Sequence, residues 1–301
     1  MLSRNFRIRE GLLALDYSLA DEQCLRYLQF LQQYVRIDRL ELMHVVKKSG
    51  FFEQLFAADA ERMRKLFPSA EEQRQRMQAL AEVHLGQTNI QLAYEVENGQ
   101  PLEELLEELE EQRTDLLVLG KKPLAQGAGV LSRNLARRSP SSLLFVPPLA
   151  EQLKLGRFMV PVDFSENSAL ALQAACALAR RLPQPPQIDC VHVYRMPDPH
   201  IYNINQTQAE FEELLLSSTK EAYENFLDSY LPKDMPRMEL QLIQRGRLST
   251  AGHLYDWAED HLPDLIFLGA KGHTALKTLW LGSVSEKIIQ LNEAFPCFII
   301  R

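Results

Sequence analysis

The chain has 301 residues, which at roughly 100–200 residues per domain leaves room for two. Hydrophobic residues make up 46% and charged residues 24%, so the disorder signature of low hydrophobicity with high net charge is absent. A formal net charge of −7 argues against a nucleic-acid binder, which carries a basic patch to meet the phosphate backbone.

In chain order, the N-terminus (Met1-Leu2-Ser3-Arg4-Asn5-Phe6) has no apolar signal region. No apolar run in the chain approaches the roughly 20 residues that span a bilayer, so a cytoplasmic protein with no membrane contact is expected. Leu12-Leu13-Ala14-Leu15-Asp16 reads as a strand ending in an acid. A helical pattern follows, and then Leu42-Met43-His44-Val45. The stretch Pro101–Gln112 reads as a helix dense in glutamate, with a solvated face. Asp115-Leu116-Leu117-Val118-Leu119-Gly120 and Leu143-Leu144-Phe145-Val146 read as two further strands.

The same landmarks return in the same order. Phe158-Met159-Val160-Pro161-Val162-Asp163 repeats the first, Cys190-Val191-His192-Val193 the second, Asp264–Gly269 the third and Cys297–Ile300 the last. Four matches at near-constant offset indicate a duplication. The boundary is expected at Pro147-Pro148-Leu149-Ala150-Glu151, giving domains 1–148 and 149–301. In the second half strands are expected at about 157–162, 188–194, 238–244, 264–269 and 296–300, and helices at about 167–182, 207–230, 248–260 and 282–291. Near-continuous apolar strands between helices imply a parallel sheet covered on both faces. The fold class is therefore α/β, with two tandem doubly wound parallel five-stranded sheets.

Four cysteines form no CxxC pair and read as buried reduced thiols. Seven histidines show no HExxH spacing, so no metal site is expected. The chemistry concentrates in Gly269-Ala270-Lys271-Gly272-His273 and Leu281-Gly282-Ser283-Val284-Ser285, a Gly-x2-Gly-x9-Gly-Ser skeleton between a strand and a helix. Glycines let backbone approach phosphate oxygens. A helix N-terminus attracts anions through its free N–H groups and dipole, and Ser283 and Ser285 add hydroxyls. Asp163 ends the first strand at the same mouth of the sheet. A bland reading competes throughout: a glycine-punctuated loop, with Asp163, Ser165 or Asn167 capping the following helix.

These residues resemble the universal stress protein family, in its ATP-binding branch. Pro161-Val162-Asp163-Phe164-Ser165 is similar to the family's opening strand and turn, His192-Val193 to its second strand end, and Gly269-x2-Gly272-x9-Gly282-Ser283 to its phosphate loop. The resemblance covers nearly the whole chain. It implies an adenine nucleotide alpha hydrolase-like fold with strand order 3-2-1-4-5. It implies that Asp163, Val193, Leu268 and Pro161 hold or wall the adenosine. Gly269, Gly272, Gly282, Ser283, Val284 and Ser285 would hold ribose and phosphates, and His192 would pack. The implied ligand is ATP with Mg2+, and the implied function regulation in the stress response. The two halves would form an intramolecular pseudo-dimer, with a homodimer as a further expectation. The first half departs from the pattern: Pro123 replaces the second glycine, Val130 replaces the serine, and the loop is shorter. One nucleotide per chain is expected, in the second half. Competing readings are an ATPase or nucleotidyl transferase of the same architecture, for which His273 is the only candidate base, and a nucleotide-free interaction scaffold.

Overall fold

The structure is a computed structural model that describes residues 6–47, 68–121, 129–150, 152–196, 207–232, 234–271 and 281–301. It divides into two units: Arg7–Leu153, and Lys154–Arg301 together with Phe6.

In the first unit the strands are β1 (Ile8–Leu15), β2 (Ile37–Lys47), β3 (Gln91–Gly99), β4 (Leu116–Gly120) and β5 (Ser142–Val146). Between them lie α1 (Leu19–Leu31), α2 (Ala70–Leu85), α3 (Pro101–Glu111) and α4 (Val130–Arg138). The sheet order is β3-β2-β1-β4-β5 and every pairing is parallel. The apolar runs that define the strands in sequence are the core: Leu12, Leu13, Leu42, Leu117, Val118, Leu143 and Leu144 are all buried. Strands covered on both faces need apolar residues on both, which is why these runs do not alternate.

The second unit repeats the plan. Its strands are β6 (Arg157–Pro161), β7 (Gln187–Tyr194), β8 (Met238–Gln244), β9 (Leu265–Gly269) and β10 (Cys297–Ile300). Its helices are α5 (Glu166–Ala179), α6 (Gln208–Tyr230), α7 (Thr250–His261) and α8 (Ser283–Leu291). The order is β8-β7-β6-β9-β10, again all parallel. In strand terms both units read 3-2-1-4-5, so the direction in which successive strands are added across the sheet reverses between the first and fourth strands. That reversal leaves a crevice at the carboxyl ends of β6 and β9.

Local signals place the helices. Thr207 with Glu210, and Ser69 with Glu72, form capping boxes at the starts of α6 and α2. Helix α5 is short of the expected span. It stops at Ala179, because Pro183 disfavours helical backbone at Leu182. Its alanines are buried around most of the helix rather than along one stripe, and small side chains let it lie close to the sheet. Two residues beyond the Pro147-Pro148 pair remain tied to α1. The Leu149 N–H donates to Gln23 Oε1 at 3.2 Å, and Arg26 donates to the Ala150 carbonyl at 2.7 Å. Glu151, at the end of the expected boundary, lies outside the described residues.

The duplication extends to individual side chains at the amino edge of each sheet. Asp115 accepts the backbone N–H of Arg9 at 2.9 Å, and Asp264 accepts those of Gly156 and Arg157 at 2.7 and 2.9 Å. All four cysteines are free and buried. Burial pushes the thiols of Cys176 and Cys190 up to about 12. No helix among the described residues is long and apolar enough to cross a membrane.

Candidate functional site

The site is built at the carboxyl edge of the second sheet. Pro161 is the last residue of β6 and pairs with Val191 of β7. The Val162 N–H continues the ladder to the Val191 carbonyl at 3.0 Å; Asp163 follows just past the end of β6, and Val193 lies at the end of the neighbouring strand β7, next to its final residue Tyr194. Leu268 and Gly269 end β9, the neighbour of β6 on its other side. Pro161, Asp163, Val193, Leu268 and Gly269 thus lie at adjacent strand ends. Leu268 is buried; Pro161, Asp163 and Val193 are half-buried.

The turn after β6 is held by its own side chains. Asp163 Oδ1 accepts the Ser165 N–H at 3.1 Å and the Ser165 hydroxyl at 2.6 Å. Ser165 in turn caps α5, accepting the Ser168 N–H at 3.3 Å. Asp163 therefore supports a helix start while sitting at the mouth of the sheet. Between them Phe164 adopts a left-handed backbone with φ of 64°, uncommon for a bulky residue. That conformation lays its ring flat on His192, with centroids 4.6 Å apart and planes at 17°. His192 Nδ1 donates to the Val162 carbonyl at 2.8 Å. A carbonyl only accepts, so Nδ1 carries the proton in that bond. His192 thus packs on Phe164 and ties β7 to the end of β6 through Nδ1.

The loop after β9 returns to the same edge. The Gly282 N–H donates to the Ala270 carbonyl at 2.7 Å, and the Ala270 N–H to the Ile300 carbonyl at 3.1 Å. Ser285 Oγ donates to the Gly269 carbonyl at 2.7 Å. These bonds fasten the first turn of α8 against the end of β9. Gly282 is the N-cap and has no side chain with which to satisfy the first-turn N–H groups, in contrast to Ser165, Thr207 and Ser249 on the other helices of this unit. Ser283 is exposed, Val284 half-buried and Ser285 buried. An uncapped helix start with backbone N–H groups turned outward is suited to an anion. Gly272 and His273 lie outside the described residues.

Gly269 has a second duty. A Cβ placed there would stand 2.5 Å from the Asn167 carbonyl oxygen, so this glycine lets β9 and α5 approach. Gly120 does the same in the first unit, where a Cβ would meet the Ala20 Cβ at 2.6 Å.

The first unit keeps the frame of the site with different fittings. Tyr17 stands where Phe164 does, with φ of 60° and its ring 4.5 Å from His44. His44 Nδ1 bonds the Leu15 carbonyl at 2.9 Å. Asp21, buried, accepts the N–H groups of Asp16 and Tyr17 at 3.1 and 2.6 Å. Helix α2 lies over the tyrosine: its hydroxyl donates to the Gln73 carbonyl at 3.2 Å, and the Arg76 guanidinium sits 4.0 Å above the ring. Helix α4 begins after Gly129, which has φ of 120°, with Val130 largely exposed. Lys122 and Pro123 lie outside the described residues.

The sequence reading missed the paired role of Phe164 and His192 and the approach of Asn167 to Gly269. The first had a signal: an aromatic follows the strand-ending acid in both halves, and His-Val recurs at the next strand end. Among the described residues no cluster of three or more His, Cys, Asp or Glu is arranged to hold a metal ion.

Comparison with known proteins bears on the whole chain. The family model described as the universal stress protein family matches it twice, at residues 10–147 and 154–294. Universal stress protein YxiE of Bacillus subtilis (strain 168) is 27% identical over 149 residues, which is 48% of this chain and 98% of that protein. A solved universal stress protein from Archaeoglobus fulgidus DSM 4304 superposes with a TM-score of 0.61 at 17% identity, covering 97% of this chain and 98% of that one. A functionally unknown protein from Pseudomonas aeruginosa PAO1 does so with a TM-score of 0.62 at 13% identity, covering 97% and 92%. At such identities the superpositions speak for the fold. The two family matches, each laid over one of the repeated sheets, establish that this chain belongs to the universal stress protein family.

Proposed function

We propose that the second half, residues 149–301, binds one ATP per chain and that the protein is a nucleotide-responsive regulator in the stress response. The observation that carries this reading is the convergence of Asp163, Val193, Gly269 and the glycine-capped start of α8 at one switch-point edge. In this reading Asp163 accepts a hydrogen bond from the ribose or adenine. The Val193 backbone bonds the adenine edge, with Pro161 and Leu268 as walls. Gly272, Gly282, Ser283, Val284 and the Ser285 N–H receive ribose and phosphates. Mg2+ accompanies the phosphates and takes its remaining ligands from water, as Mg2+ commonly does. Regulation requires only that ATP bind one conformation better than another. The chain acts in the cytoplasm, and its two halves stand in for the two subunits of a dimer.

The experiment is to denature the purified protein and identify released nucleotide by mass spectrometry, followed by calorimetric titration with ATP and Mg2+. Bound adenine nucleotide with a stoichiometry of one supports the proposal. Two equivalent sites would contradict the asymmetry, and no binding would favour a nucleotide-free scaffold. Stoichiometric turnover to ADP or a nucleotidylated product would favour an enzyme.

A further inference from the structure

Helix α6 is fastened to its unit at few points. Of its 23 residues, Tyr223 and Phe226 are the buried ones. Both lie toward its carboxyl end, where the Gln173 amide of α5 donates to the Tyr230 carbonyl at 2.7 Å. The turns before them bury no residue, and Leu214 among them is exposed. The capping box of Thr207 and Glu210 keeps that stretch helical without help from the core. The amino-terminal half of α6 can therefore move without uncovering buried apolar surface.

Tyr223 and Phe226 meet the same side chain. The Phe164 ring centroid stands 6.4 Å from that of Tyr223 and 5.7 Å from that of Phe226, inside the range of roughly 4.5–7 Å over which rings attract. Its other face lies on His192. Each member of that stack is the chain neighbour of a residue assigned to the adenosine: Phe164 follows Asp163, and His192 precedes Val193. The left-handed backbone of Phe164 ties the direction of its ring to the turn that Asp163 and Ser165 hold. The first unit is fastened otherwise. There α2 touches Tyr17 but also buries Gln73, Met77, Ala81 and Leu85, every fourth residue along its length, so it stays down whatever the tyrosine does.

We propose that Phe164 couples the nucleotide site to α6: a ligand on Asp163 and Val193 fixes the Phe164–His192 stack, and the fixed stack holds Tyr223 and Phe226, so that α6 is docked more of the time when the site is filled. This rests on the assignment of ATP to the second half. Docked and loose states of α6 both exist without ligand, and binding shifts the balance toward the docked one. The coupling is reciprocal, so whatever holds α6 down also tightens ATP binding. It gives the regulator its moving element, and it is confined to the half that is proposed to bind.

The test is hydrogen exchange on the full chain, without nucleotide and at saturating Mg-ATP, with calorimetry to establish saturation. In the parent, ATP slows exchange in α6 severalfold, and slows it less in α7, which buries its own stripe of Ala251, Leu254, Trp257 and Ala258. Exchange in α2 does not change. Phe164→Ala cuts the link at the site and Phe226→Ala cuts it on the helix; in both, α6 exchanges fast with or without ATP. Phe164→Tyr, which carries the ring that Tyr17 has in the first unit, keeps the response. Circular dichroism checks that each variant is folded. The coupling is overturned if ATP binds the parent and α6 is unchanged, if α6 and α7 slow equally, or if both alanine variants respond as the parent does. A parent that binds no ATP sinks the nucleotide assignment and the coupling with it, whereas binding without a response in α6 sinks the coupling alone.

Discussion

The Ser285 hydroxyl donates to the Gly269 carbonyl across 2.7 Å, which commits its proton to joining α8 to β9. Of the two serines at this helix start, Ser283 alone is exposed. Ser285→Ala should therefore lower stability by roughly 0.5–1.5 kcal/mol and weaken ATP binding indirectly, by loosening the helix start. Ser283→Ala should weaken binding while leaving the melting temperature in place. Thermal melts and calorimetric titration on both variants separate the two effects.

Gly269→Ala should destabilise by about 1–3 kcal/mol, as overpacking a tight contact does. The methyl would stand 2.5 Å from the Asn167 carbonyl oxygen, an atom of the helix backbone that cannot swing aside. Gly120→Ala, facing Ala20 at 2.6 Å, should behave alike. Urea unfolding midpoints measure both. Equal midpoints for parent and variants would mean the strand–helix contact is looser than described.

Asp163→Ala should reduce ATP affinity by an amount equivalent to roughly 1–3 kcal/mol if its bond reaches a buried ligand group. It should also cost some stability, because Asp163 holds Ser165. Asp16→Ala breaks the matching 3.2 Å bond to the Ser18 N–H but should leave ATP affinity unchanged. Gly272→Val should block phosphate approach by filling backbone space. Binding titrations on the three variants, with circular dichroism for folding, decide the assignment; loss of binding in Asp16→Ala alone would reverse the roles of the halves.

The four thiols should resist a soluble disulfide reagent in the native protein and react fully in denaturant. All are buried, and desolvation holds Cys24 well above the ordinary thiol value and Cys176 at about 12. Counting thiols released against time checks this. Rapid modification of one under native conditions would reveal local opening.

Much of this architecture is legible without coordinates because strands buried on both faces need unbroken apolar runs. The five strands of the second half fall within a residue or so of where those runs lie. Helix ends were also marked, by Ser, Thr and Gly at N-caps. What eluded the sequence depends on contacts distant along the chain. The glutamates of α3 read as a solvated face, and Glu103, Glu107, Glu110 and Glu111 are exposed. Glu108 instead is half-buried, and Glu41 is buried within Leu40-Glu41-Leu42-Met43, an acid inside an otherwise apolar run. The left-handed turn at Tyr17 and Phe164 was hidden for a related reason. Composition signals that conformation through glycine or asparagine, whereas here it goes with a ring set against a histidine, stacked for Phe164 and tilted for Tyr17.

The glycine that closes the fourth strand is present in both halves, and in both it makes room for a helix. The first half is thus an internal control carried within the same molecule. Traits common to both copies report on the scaffold, and traits confined to the second report on the proposed ligand. By that measure Gly269 and the N-cap Gly282, matched by Gly120 and Gly129, belong to the scaffold, and the diagnostic weight of the motif rests on Gly272 and Ser283, where the first half has Pro123 and Val130. A survey of relatives that scores the first glycine as a nucleotide mark would not separate binding from close packing of a strand on a helix.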